Sequence, residues 1–189
     1  MNLEKLFKMQ KELDKRILER FPKLRNENLL DKKILALQVE LGELAQNWRG
    51  FKFWSEDQKP RTREYLTNYT EQDSVLGPGA VWKNPLLEEY VDCLHFILSI
   101  GLEIETEQDI FPEPIKYDNT VTQFNELFGQ ISYFASVLNR DNDWEEVEFE
   151  YERVWSLFFG LGSILGFTLE QIEQAYFDKN KVNHERQDN

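Results

Sequence analysis

The sequence predicts an all-α fold, a multi-helix bundle of the kind built from amphipathic helices, with no significant β-sheet. Three observations carry this. Apolar residues recur at helical spacing through successive segments, no segment alternates convincingly with a period of two, and Pro, Gly and capping residues fall at the segment ends. The 189 residues fit one domain, 1–189, large enough for a buried core.

The first helix is predicted over residues 3–20, with Leu3, Leu6, Phe7, Leu13, Ile17 and Leu18 on one stripe. Gln10 falls inside that stripe, either as a satisfied core amide or as a group facing a polar ligand. A second helix covers 30–49, where Ile34, Leu37, Leu41, Leu44, Ala45 and Trp48 form the stripe, Glu40, Glu43 and Asn47 flank it, and Gly50 is the expected stop. Residues 51–84 break the pattern: Pro60, Gly77, Pro78 and Gly79 interrupt any periodicity, although a short helix near 56–67 fits the spacing. Connections of this length serve as lids or functional loops, or run over the surface pinned by their aromatics, here Phe51-Lys52-Phe53-Trp54. The third helix begins at Pro85, runs to Gly101, and is apolar nearly all round, as a central bundle helix should be. Glu88, Glu89, Asp92, His95 and Ser99 interrupt it, and Glu89, Asp92, His95 and Phe96 share one face. Helices over 120–139 and 144–165 follow, and a last one opens at Thr168, whose Gln171 completes a capping box.

A net charge of −13 excludes the broad basic surface that non-specific nucleic-acid binding needs. No uncharged apolar run reaches membrane-spanning length and no basic leader precedes an apolar stretch, so a soluble, cytoplasmic protein is expected. Cys93 is the single cysteine, which rules out an intrachain disulfide; among Val91, Leu94 and Phe96 it reads as a small buried thiol.

Two acidic pairs carry the chemistry: Glu40–Glu43 in LQVELGELAQNW and Glu89–Asp92 in LLEEYVDCLHFIL. Each i,i+3 pair sets two carboxylates side by side on an otherwise core-forming helix. Such acids are either solvated and paired, or they converge on a cation. With only two histidines in the chain, His95 and His184, zinc or di-iron is disfavoured, while an all-oxygen set suits Mg²⁺ and shared phosphate ligands. In the tail, Lys179, Asn183 and Arg186 follow one another at i, i+4, i+7. That face can grip a polyphosphate, or it belongs to a frayed and solvated helix end.

The ordered set of motifs resembles a known family. It comprises Leu6-Phe7-Lys8-Met9-Gln10-Lys11-Glu12-Leu13-Asp14, the ELGELA stretch from Glu40 to Ala45 followed by Phe51-Lys52-Phe53-Trp54-Ser55, the Glu88-Glu89-Tyr90-Val91-Asp92 segment continuing through Leu94-His95-Phe96, and YxxKNxxNxxRQ from Tyr176 to Gln187. Together these resemble the dimeric all-α dUTPases, close to the Gram-positive bacterial and phage branch, within the all-α NTP pyrophosphatase (MazG-like) superfamily. The resemblance implies Mg²⁺, two or more ions, held by Glu40, Glu43, Glu89 and Asp92. It implies that Gln10, His95 and Asn183 contact uracil or deoxyribose, with Phe96 and Trp54 packing on them, and that Lys179, Arg186 and Lys52 hold phosphates. It further implies a homodimer, with which the aromatics among Phe124–Phe134 and Trp144–Phe159 are compatible as interface residues. The activity so implied is hydrolysis of dUTP or dUDP to dUMP, with Glu40 orienting and deprotonating the attacking water. The rivals are a relative acting on dCTP or non-standard nucleotides, and a catalytically weak protein that binds a regulatory partner.

Overall fold

The computed structural model describes residues 1–65, 82–106, 112–140 and 144–188. Its elements in chain order are α1 (Leu3–Arg20), a 3-10 turn (Pro22–Asn26), α2 (Leu30–Trp48), β1 (Glu64–Tyr65), β2 (Trp82–Lys83), α3 (Pro85–Glu103), α4 (Thr120–Leu138), α5 (Trp144–Ile164) and α6 (Leu169–Arg186). Among the described residues the only strand pairing is the antiparallel β1–β2 ladder, Glu64 opposite Lys83 and Tyr65 opposite Trp82. The protein is all-α, as its periodicity predicts.

The helix starts follow local chemistry. Asn2, Asn84 and Asn119 each turn a side-chain oxygen onto first-turn amides of α1, α3 and α4, and Pro85 opens α3 where no amide partner is needed. Thr168 and Gln171 form the reciprocal capping box at α6. The end of α2 differs from the expectation. Arg49, not Gly50, takes the left-handed backbone at φ 65°, and its guanidinium is held by the Asp57 carbonyl. Gly50 is required for another reason: a Cβ there would stand 2.3 Å from the Trp48 ring. Residues 56–65 also depart from the expected helix near 56–67, being irregular apart from a bend and ending in β1; residues 66 and 67 lie outside the described set. This course is held by Asn47, whose carbonyl accepts from Arg61 N, and by Arg61, whose carbonyl accepts from Leu86 N.

Packing centres on α3, which touches α1, α2, α5 and α6. Tyr90 stacks on Phe158 at 4.1 Å and donates to the Phe158 carbonyl, while Tyr151 donates to the Ile97 carbonyl, so α3 and α5 are tied by aromatics whose hydroxyls stay satisfied inside the core. Phe124, Phe134, Trp155, Phe158 and Phe159 are likewise buried in the chain's own core, which removes them from any subunit interface; Tyr133, Trp144 and Phe149 remain exposed. Cys93 is fully buried and its thiol is pushed well above the ordinary range by that burial. No helix among the described residues is long and apolar enough to cross a membrane.

Candidate active site

The extensive packing of α2 on α3 brings the two acidic segments together. One carboxylate oxygen each of Glu40, Glu89 and Asp92 lies within 4.8 Å of the others, all three side chains half-buried. Glu43 stands at the exposed edge of this group; its charge reaches Glu40 and Glu89, but it is not one of the clustered three. Such crowding is unfavourable without a counter-charge. Burial, then the neighbouring charges of Asp92, Glu43 and Glu40, pushes the Glu89 carboxyl up to about 7. Burial followed by Asp92 and Glu43 raises Glu40, and burial raises Asp92 although Lys179 opposes it.

Lys179, reaching from α6, is the local cation. Its Nζ lies 2.6 Å from Asp92 Oδ2 and 3.3 Å from Glu88 Oε1. Burial works against the ammonium, yet the bonds to Asp92 and Glu88 hold its pKa above the ordinary lysine value. The donor set is all oxygen and one ammonium covers only part of its charge, so the residues fit a hard divalent cation of the magnesium type.

Beside the acids opens a cavity of about 380 Å³, room for a nucleoside, lined by Glu40 and Asp92 together with Gln10, His95, Phe96, Asn183 and Arg186. Seven of the residues named from sequence thus meet in one place. Leu13, Ile17, Leu18 and Leu29 give it an apolar wall. Gln10 is buried, and its amide is engaged within the protein: Nε2 donates to Asp14 at 2.7 Å, and Oε1 lies 2.7 Å from His95 Nδ1 and accepts from Tyr176 at 3.0 Å. His95 stacks on Tyr176 at 4.3 Å, and burial, aided by the charge of Lys179, lowers its pKa to about 3, so the ring is neutral.

Lys52 and Trp54 are not brought to this cavity. Trp54 is 65 % exposed and packs edge-on against Phe51 and Phe53, while Lys52 Nζ hovers 5.7 Å from the Phe51 ring. Conversely, Asp14, Lys33, Ser99 and Glu103 line the cavity although the sequence reading gave them no role. Asp14 had a signal, since it sits one helical turn after Gln10. Lys33 had none, because only the packing of α2 reveals which of its lysines turns inward.

Fold and site together define a class: an all-helical protein in which two paired helices converge three carboxylates beside a nucleoside-sized cavity, faced by a cation-bearing C-terminal helix. A family model described as dUTPase matches residues 2–72 and 79–189, so the chain belongs to the all-α dUTPase family and is an enzyme of dUTP hydrolysis. A comparison with curated proteins returns no match.

Proposed function

We propose that the enzyme catalyses magnesium-dependent hydrolysis of dUTP, and of dUDP, to dUMP with release of pyrophosphate or phosphate, acting as a homodimer in the cytoplasm. The observation that carries this reading is the Glu40–Glu89–Asp92 cluster, its oxygens within 4.8 Å, beside a cavity lined by Glu40, Asp92, His95, Phe96 and Arg186. Glu40, Glu89 and Asp92, with Glu43 at their edge, would hold the ions. When bound, magnesium offsets the charge of the phosphate oxygens and lowers the pKa of coordinated water.

The chain's own residues do the rest. Glu40, raised by burial and its acidic neighbours, accepts the proton of the attacking water as that water's oxygen bonds to phosphorus and the bridging P–O bond breaks. Lys179 exchanges its bond to Asp92 for phosphate oxygens, and Arg186, exposed at the cavity, offers its guanidinium fork to the same group. Phe96 supplies a flat apolar surface for the base, and Gln10, His95 and Asn183 face the nucleoside. Refusal of cytosine follows from polar groups matched to uracil that an exocyclic amine would leave unpaired. Lys52 and Trp54 join the site only through movement of the turn that carries them.

Phosphorus NMR of the products tests the bond cleaved. Pyrophosphate and dUMP from dUTP with Mg²⁺, and neither with EDTA, is the expected result; orthophosphate with dUDP from dUTP overturns the assignment.

A further inference from the structure

His95 is buried with 5 % of its surface exposed, lines the cavity, and its Nε2 has no hydrogen-bond partner among the described residues. A buried imidazole nitrogen left unpaired is costly, and whether it offers a proton or a lone pair decides what can satisfy it. The surrounding network settles that choice, starting from a lysine on another helix.

Lys33 Nζ, 3.5 Å from Asp14 Oδ2 and 2.5 Å from Glu103 Oε1, can only donate. Ser99 Oγ donates to the same Asp14 oxygen at 2.5 Å. Flanked by an ammonium and a hydroxyl, Asp14 acts as an acceptor, and its Oδ1 takes a proton from Gln10 Nε2 at 2.7 Å. The amide nitrogen of Gln10 is thereby fixed toward Asp14 and its oxygen toward α3 and α6. That oxygen has only lone pairs, so the Tyr176 hydroxyl at 3.0 Å and His95 Nδ1 at 2.7 Å must both donate to it. In a neutral ring with Nδ1 protonated, Nε2 carries the lone pair.

We propose that Asp14 is a positioning residue that, through Gln10, fixes His95 as its Nδ1–H tautomer and so leaves Nε2 of this cavity-lining residue as an acceptor for an N–H or O–H group of the nucleoside. Two groups of a deoxyuridine nucleotide have this chemistry, the imide N–H of the base and the sugar hydroxyl. Where the imide N–H is the donor, a bare acceptor such as the corresponding ring nitrogen of cytosine is refused. The ligand half of the inference rests on the nucleotide reading above; the tautomer does not.

Nitrogen NMR of the full-length protein labelled at histidine tests it, since the chain has two histidines and an H184N variant assigns them. The expected spectrum shows His95 Nδ1 as a protonated, pyrrole-like nitrogen and Nε2 as a pyridine-like one. A protonated Nε2, or exchange between tautomers, overturns the proposal whether or not the protein hydrolyses any nucleotide. In D14A the Gln10 amide is free to flip: mixed tautomers are expected, with KM for dUTP raised about two- to threefold as the competent tautomer falls to about a half or a third of the population, and kcat little changed. D14N keeps an acceptor for Gln10 and should recover most of that loss. An unaltered tautomer in D14A contradicts the positioning role. Titration with dUMP should shift the Nε2 resonance, and N3-methyl-dUMP and 3′-deoxy-dUMP identify the donor by which of them fails to do so. Shifts equal to that of dUMP with both analogues overturn the ligand half.

Discussion

Replacing Glu89 by Gln removes a charge that the metal-free fold holds at a cost. Its carboxyl lies among Glu40, Glu43 and Asp92 and is raised from 4.5 to about 7. Between those values the folded state binds a proton that the unfolded chain releases, so stability falls as pH rises through the window. The penalty is absent below about pH 4.5 and complete above about pH 7. At full weight a displacement of this size corresponds to about 3 kcal/mol. Because the group is partly open to water, solvent screening brings the expected figure to about 1 to 2 kcal/mol. Gln keeps the volume and an acceptor oxygen for Asn47 Nδ2, now 3.3 Å from Glu89. Thermal unfolding in EDTA should therefore show E89Q more stable than wild type by roughly 3 to 6 °C at pH 8, with the difference vanishing near pH 4.5. Saturating Mg²⁺ should reverse the order, stabilising wild type more than the variant. An E89Q protein less stable than wild type in EDTA at pH 8, or a difference independent of pH, would refute the view of these acids as an uncompensated cluster.

Glu40→Gln should lower dUTP turnover by at least about a hundredfold in saturating Mg²⁺ while far-UV circular dichroism stays unchanged; near wild-type turnover would remove Glu40 from the role of base. Trp54→Ala probes the aromatic turn: a several-fold rise in KM without loss of stability is expected if the exposed ring folds over bound nucleotide, and an unchanged KM would leave Trp54 outside the site. Gly160→Ala should destabilise the fold by about 3 kcal/mol, seen as a lower denaturation midpoint, because its Cβ would meet the backbone carbonyl oxygen of Ile115 at 1.8 Å. A neutral effect there would show that the 112–118 segment is not pinned against α5 as described.

Several features could be read before any coordinates because their causes are local. Thr168 and Gln171 spell a capping box, Pro85 spells a helix start, and the apolar stripes of α1 and α2 need only the helical period. The two acidic segments were legible as one site because both interrupt core-forming helices. What escaped was set by tertiary contacts. Arg49 could take the left-handed position at the end of α2 because Asp57 and the Trp48 ring shape that corner, which moved the need for glycine to the next residue. Residues 56–65 carry no strong period, and their hydrogen bonds to Asn47 and Leu86 hold them in a non-helical course. In the site, i,i+3 spacing grouped Glu43 with Glu40 equally, whereas the packing of α2 on α3 leaves Glu43 at the exposed edge. Gln10 was visible as an anomaly in an apolar stripe, with Asp14 one turn on; that His95 and Tyr176, from two other helices, meet the same amide was not.

The most direct test is pyrophosphate release from dUTP, dTTP, dCTP and UTP, each assayed with Mg²⁺ and with EDTA. Turnover confined to dUTP and abolished by EDTA is the expected result. Turnover that survives EDTA would contradict the metal role given to Glu40, Glu43, Glu89 and Asp92, and activity spread over dCTP or the other nucleotides would contradict the uracil-selective cavity.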